Sequence, residues 1–165
     1  MQHSFSELDK QFMQRALELA KNAESEGEVP VGAVLVQDGD IIAEGWNRSI
    51  TCHDATAHAE IQTLRKAGEA LSNYRLLDTT LYVTLEPCPM CAGALLHSRV
   101  KRVVFGAYDL KAGAAGTVLN LFEGQAAYHY ADVEGGLMEQ ECREMLQAFF
   151  KRRRKEIKEK KKQGL

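Results

Sequence analysis

The sequence predicts a mixed α/β protein, one sheet covered by helices on both faces. Three observations predict it. Short apolar runs alternate with longer segments of helical periodicity, an Asp-Gly turn joins the first two runs, and the later runs follow helical segments. Strands separated by helices imply right-handed crossovers and parallel neighbours.

Taken in order, Ser6-Glu7-Leu8-Asp9 reads as a helix start, a hydroxyl cap with an acid three residues on. Leu8, Phe12, Ala16, Leu19, Ala20 and Ala23 follow at helical spacing, and Gly27 and Pro30 close the element. Val31 to Val36 has the length of a buried strand. Asp38-Gly39 is a turn signal and Ile41 to Trp46 a second strand, so the pair predicts an antiparallel hairpin. Residues 47–56 are polar and aperiodic, a loop. Ala57 to Leu71 reads as a second helix with Ile61 and Leu64 facing inward. Thr80 to Leu85 (TLYVTL) is β-branched and apolar, a central strand that turns at Pro87 into a helix reaching Leu96. Val100 to Ala107 is a fourth strand, residues 108–117 a Gly- and Ala-rich loop, and Leu119 to Phe122 a short helical turn. Tyr130 to Val133 is an edge strand. A long helix from Leu137 to about Lys160 ends the chain.

The 165 residues suit one domain, residues 1–165, with one hydrophobic core. The N-terminus has no charged-then-apolar signal pattern, and no apolar run approaches the roughly 20 residues that span a bilayer. Both point to a cytoplasmic protein without a membrane partner. The cysteines, Cys52, Cys88, Cys91 and Cys142, are then metal ligands or buried thiols, not disulfides. His97 and Cys142 read as packing residues. The net charge of −2 conceals an asymmetry: residues 151–162 (KRRRKEIKEKKK) hold nine Lys or Arg against two Glu, and the remainder is acidic. Such a segment attracts phosphate backbones, although a solvated helix face is the blander reading.

Two segments carry chemistry: His58-Ala59-Glu60 near the start of the second helix, and Pro87-Cys88-Pro89-Met90-Cys91 where the central strand turns into the third. Cys88 and Cys91 have the offset that lets two thiolates grip one ion, and His58 adds an imidazole. Two sulfurs and a nitrogen suit Zn2+, one per subunit, and three protein ligands leave the fourth tetrahedral position for water, whose pKa zinc lowers toward ~7. Both segments sit at helix N-termini, where the dipole favours thiolate. Glu60, two residues from His58, does not overlie the imidazole and is free to move the water's proton. H-x-E with P-C-x-x-C is a signature of zinc nucleobase deaminases, and the mechanism is that class's: hydroxide attacks the carbon bearing the amine, Glu60 protonates the ring nitrogen and then the amine, and ammonia leaves. The main structural rival is a closed zinc site with Cys52 or His53 as fourth ligand.

These motifs do not separate cytosine from adenine. The runs PVGAVLV (30–36), EGWNR (44–48), HAE (58–60), NYRL (73–76), TLEPCPMCAGAL (84–95) and SRVKRVVFGAYDLKAGAAG (98–116) resemble bacterial tRNA-specific adenosine deaminases, from about Ser6 to Lys160. The resemblance implies a cytidine deaminase-like three-layer α/β/α sandwich around a five-stranded mixed sheet, the fifth strand parallel to the fourth. It implies conversion of adenosine to inosine at the wobble position of a tRNA, an arginine tRNA above all. The partners implied are the anticodon stem-loop and a second subunit of a homodimer, with no organic cofactor. His58, Cys88 and Cys91 fall on the family's zinc ligands, Glu60 on its proton shuttle and Asn47 on a position that contacts the base. From the residues themselves, Asp109 could accept from a ribose hydroxyl or cap a turn. Phe149 and Phe150 could stack on RNA or anchor the last helix, and Arg153 belongs to the basic run that would meet phosphates. A free-nucleoside or free-base deaminase, and an RNA-binding module with structural zinc, are the competing readings.

Overall fold

The computed structural model describes residues 4–124 and 129–164. Its elements run α1 (Glu7–Ser25), β1 (Gly32–Gln37), β2 (Asp40–Trp46), α2 (Ala59–Leu71), β3 (Thr79–Leu85), α3 (Pro89–His97), β4 (Arg102–Ala107), β5 (Asp132–Gly135) and α4 (Glu139–Lys162). The strands form one sheet in the order β2-β1-β3-β4-β5. β1 is antiparallel to β2 and β3, while β3, β4 and β5 are mutually parallel. The expected five-stranded mixed sheet is therefore present, with β5 parallel to β4. β2 and β3 share a direction but are not neighbours, because β1 lies between them.

Local chemistry accounts for the first elements. Ser6 and Asp9 form a reciprocal capping box at the start of α1. Asp38 and Gly39 both take positive φ, 51° and 81°, the backbone a tight two-residue hairpin requires. The Asp9 carboxylate does more than cap. It accepts from the Tyr82 hydroxyl at 2.6 Å on β3 and from Arg102 at 2.8 and 3.1 Å on β4, tying α1 across the sheet. α1 and α4 cover one face, and α2 and α3 the other. α4 is fastened to the end of α1 by Arg152 on Glu24 at 2.8 Å and by Arg153 on the Gly27 carbonyl at 2.8 Å.

The structure departs from expectation in four places. α2 turns Ala59, Glu60, Thr63 and Ala67 toward the sheet; Leu64 is half-buried and packs against the core as expected, whereas Ile61 is half-buried on the flank. The reason is close approach: a Cβ on Gly45 of β2 would meet the Thr63 hydroxyl at 2.6 Å and the Ala59 carbonyl at 2.9 Å, so only small residues fit the interface. Residues 119–122 are not helical. Ala115 pairs with Asn120 in an isolated bridge, and Asn120 caps a turn by accepting from the Phe122 N–H. β5 begins two residues late, leaving Tyr130 exposed. His97 is exposed at the end of α3 rather than packed, whereas Cys142 is buried as expected.

Candidate active site

Two helix starts face one another across the end of the sheet. His58 is the N-cap residue of α2 and Cys88 that of α3, both with extended backbone, and Pro89 fills the first position of α3. Cys91 lies in the first turn of α3 and is fully buried. His58 Nδ1 is 3.6 Å from Cys88 Sγ and 3.6 Å from Cys91 Sγ. All three donor atoms lie within 4.8 Å of one another, and no other group among the described residues has this arrangement. Two sulfurs and an imidazole nitrogen converging at this spacing fit a tetrahedral zinc ion. Cys52 is exposed in the loop before α2 and, like His53, is outside the group, so the closed-site rival finds no support.

The electrostatics suit anionic sulfur at the α3 N-terminus. Hydrogen bonding from Cys91, reinforced by His58, pulls the Cys88 thiol down to about 4 against the opposing effect of burial. The same shared proton, with burial, pushes Cys91 the other way, and Cys88 raises His58. A cation between the sulfurs would replace that proton and let both thiols ionise.

A cavity of about 230 Å³ opens onto this group, lined in part by Asn47, His58, Glu60, Glu86, Cys88 and Asp109. Glu60 is 5 % exposed and faces this cavity, not bulk solvent. Burial, with the Cys88 charge adding to it, pushes its carboxyl up to about 7, where a carboxyl can both take and return a proton.

The remaining expected site residues divide. Asn47 reaches the cavity wall, its amide oriented by donating to the Val29 carbonyl at 3.4 Å and accepting from Ser49 at 3.1 Å. Asp109 also reaches the wall, and its Oδ1 caps a turn by accepting from the Lys111 and Ala112 amides. Phe149 does not present a face to a base. It is 3 % exposed and lies beneath the guanidinium groups of Arg152 and Arg153, 5.6 and 5.3 Å from its centroid, so it anchors α4. Phe150 packs edge-on against it and is partly exposed. Arg153 is committed to the Gly27 carbonyl, which makes it part of the same anchor. Sequence reasoning passed over Glu28 and Glu86, both fully buried beside the site. Their one signal was an acid flanking a proline or glycine next to a strand end.

Comparison with known proteins follows the same lines. The family described as the cytidine and deoxycytidylate deaminase zinc-binding region matches residues 6–107. A tRNA-specific adenosine deaminase of Haemophilus influenzae is 55 % identical over 154 residues, 93 % of this chain and 89 % of the relative. One from Bacillus subtilis is 51 % identical over 150 residues, covering 91 % and 93 % of the two chains. A solved structure from a study of A-to-I editing by tRNA deaminases at the wobble position superposes with a TM-score of 0.81 at 47 % identity, over 82 % of this chain and 99 % of the other.

Proposed function

The chain belongs to the cytidine and deoxycytidylate deaminase zinc-binding family, and from that premise we propose that it hydrolyses adenosine to inosine at the wobble position of a tRNA, releasing ammonia. The observation that carries the chemistry is the buried Glu60 carboxyl in the same cavity as the His58, Cys88 and Cys91 donors. The substrate class is supported by relatives that match this chain over nearly its whole length and act on tRNA.

His58 Nδ1, Cys88 Sγ and Cys91 Sγ would hold the zinc. A zinc ion bound there supplies Lewis-acid activation of water at neutral pH. The chain's own residues do the rest. Glu60 takes a proton from water at its carboxylate, delivers it to the purine ring nitrogen beside the amine, and later carries one to the departing amine. Water adds oxygen to the ring carbon and the amine leaves as ammonia, so the overall balance is adenosine plus water to inosine plus ammonia. The α3 N-terminus favours the Cys88 sulfur as an anion, and the low exposure of Glu60 keeps competing water from its carboxyl. Asn47, which lines the cavity, would hydrogen-bond the base. A loop that already presents unstacked bases lowers the cost of everting one into the cavity.

An arginine tRNA, a homodimer and a cytoplasmic setting belong to the same proposal. No helix among the described residues is long and apolar enough to cross a membrane. The deciding assay is purified protein with an anticodon stem-loop, scored for inosine, with free adenosine and free cytidine alongside. Inosine in the RNA and neither free nucleoside consumed is the expected result; turnover of a free nucleoside with no RNA product would overturn the assignment.

A further inference from the structure

Two carboxyl groups beside the cavity take no part in the chemistry above, yet Glu28 is 1 % exposed and Glu86 2 %. Each is surrounded by donors from a single loop. Glu28 Oε1 accepts from the Ile50 amide at 3.1 Å, and its Oε2 from the Thr51 amide at 2.7 Å and the Thr51 hydroxyl at 2.6 Å. Glu86 Oε1 accepts from the Asp109 amide at 3.1 Å and from the Thr117 hydroxyl, and its Oε2 from the Ala115 amide at 3.0 Å and the Thr117 amide at 3.1 Å. The first loop brings Asn47 to the cavity and the second brings Asp109 and Ala112. The second is drawn so close that a Cβ on Gly113 would meet Glu86 Cδ at 2.5 Å.

A carboxylate removed from water is tolerable only when its lone pairs are filled. Here the filling groups are mostly backbone amides spaced along a loop, and they converge on one carboxylate in one loop conformation. The charge therefore selects the loop shape. We propose that Glu28 and Glu86 are positioning residues for the deamination: each folds one loop of the cavity rim around its carboxylate and so sets the entrance by which an RNA base reaches His58 and Glu60. The proposal rests on the reading of the chain as a tRNA deaminase.

Glutamine is the diagnostic substitution. It has the same shape, but whichever end becomes NH₂ points a donor at donors, and at Glu86 each end meets a backbone amide that cannot turn round. The zinc donors and Glu60 sit at the starts of α2 and α3, apart from the segments Ile50–Thr51 and Asp109–Thr117 that wrap the two carboxylates, so misplacing those segments should act on substrate capture more than on the chemical step.

The test is steady-state kinetics on a stem-loop RNA for the wild type, Glu28→Gln, Glu86→Gln, Thr51→Val and Thr117→Val, with zinc content and melting temperature of each. The expected result is a KM raised about tenfold or more in the glutamine variants and about threefold in the valine variants, with kcat within about threefold and one zinc per chain retained. If the glutamine variants do not fold, the valine variants, which delete one neutral hydroxyl and leave the charge in place, decide the matter. Unchanged KM in the folded, zinc-loaded variants, or losses confined to kcat, overturns the proposal. A wild type that makes no inosine in RNA overturns the functional reading itself, a distinct result.

Discussion

His58 and Cys88 hold the same position in two different helices: each caps its helix in extended backbone, and Nδ1 and Sγ lie 3.6 Å apart. The metal site is thus built from two helix N-termini brought face to face by the order of the sheet. A helix start offers unpaired amides and the positive end of its dipole, and both favour an anionic ligand.

That geometry predicts which cysteine matters for metal. Cys91→Ser should leave less than about a tenth of the zinc after dialysis, because a hydroxyl replaces a buried thiolate ligand. Cys52→Ser should keep one zinc per chain, since Cys52 is exposed and outside the donor group. Metal analysis of the purified variants checks both. Zinc lost from Cys52→Ser would mean that this loop closes onto the metal.

Glu60→Gln should retain zinc and RNA binding and lose at least about 100-fold in inosine formation, because the amide fills the same buried space but cannot shuttle a proton. Single-turnover deamination with a filter-binding control separates the two. Wild-type rates in this variant would remove Glu60 from the chemistry.

The Asp9 cluster predicts a pH dependence of stability. Burial raises its carboxyl, but hydrogen bonds from Arg102 and Tyr82 and the Arg102 charge outweigh that and hold it well below the usual carboxylate range. A group depressed on folding adds stability that is complete above its unfolded pKa of about 3.9 and is lost as pH falls toward the folded value. Asp9→Asn should cost roughly 2–3 kcal/mol at pH 7 and show a flatter decline than wild type below about pH 4. Thermal unfolding from pH 7 to pH 2.5 measures it; parallel curves would refute the linkage.

What the sequence reveals divides by range. The capping box of Ser6 and Asp9 and the Asp38-Gly39 hairpin are legible because their partners lie within a few residues. His58, Glu60, Cys88 and Cys91 are legible because zinc chemistry restricts residue type and spacing. Ile61 misleads because the face of α2 that meets the sheet is chosen by Gly45, on a strand it follows, and bulk yields there to close approach. Arg153 and Phe149 are ambiguous in sequence because charge and aromaticity suit an RNA surface and a helix anchor equally; the structure shows the anchor contacts. Glu28 and Glu86 are nearly invisible: each looks like a surface acid until loops 22 to 31 residues away fold around it.

The anchor on α4 sharpens what its basic end should do. Arg152 and Arg153 fasten the helix to α1, so deleting residues 151–165 would remove structure and charge together. Deleting residues 155–165 instead leaves both contacts and removes the exposed Lys155, Lys158, Lys160, Lys161 and Lys162. If these lysines meet phosphates, each lost contact lowers the slope of log affinity against log salt by about 0.7 on single-stranded RNA. The shorter protein should therefore show a slope shallower by roughly 1–3, weaker binding by a similar factor across unrelated RNA sequences, and an unchanged melting temperature. Binding titrations at several salt concentrations read this directly. An unaltered slope would leave the basic turns as a solvated helix face, with RNA affinity residing in the cavity and its two loops.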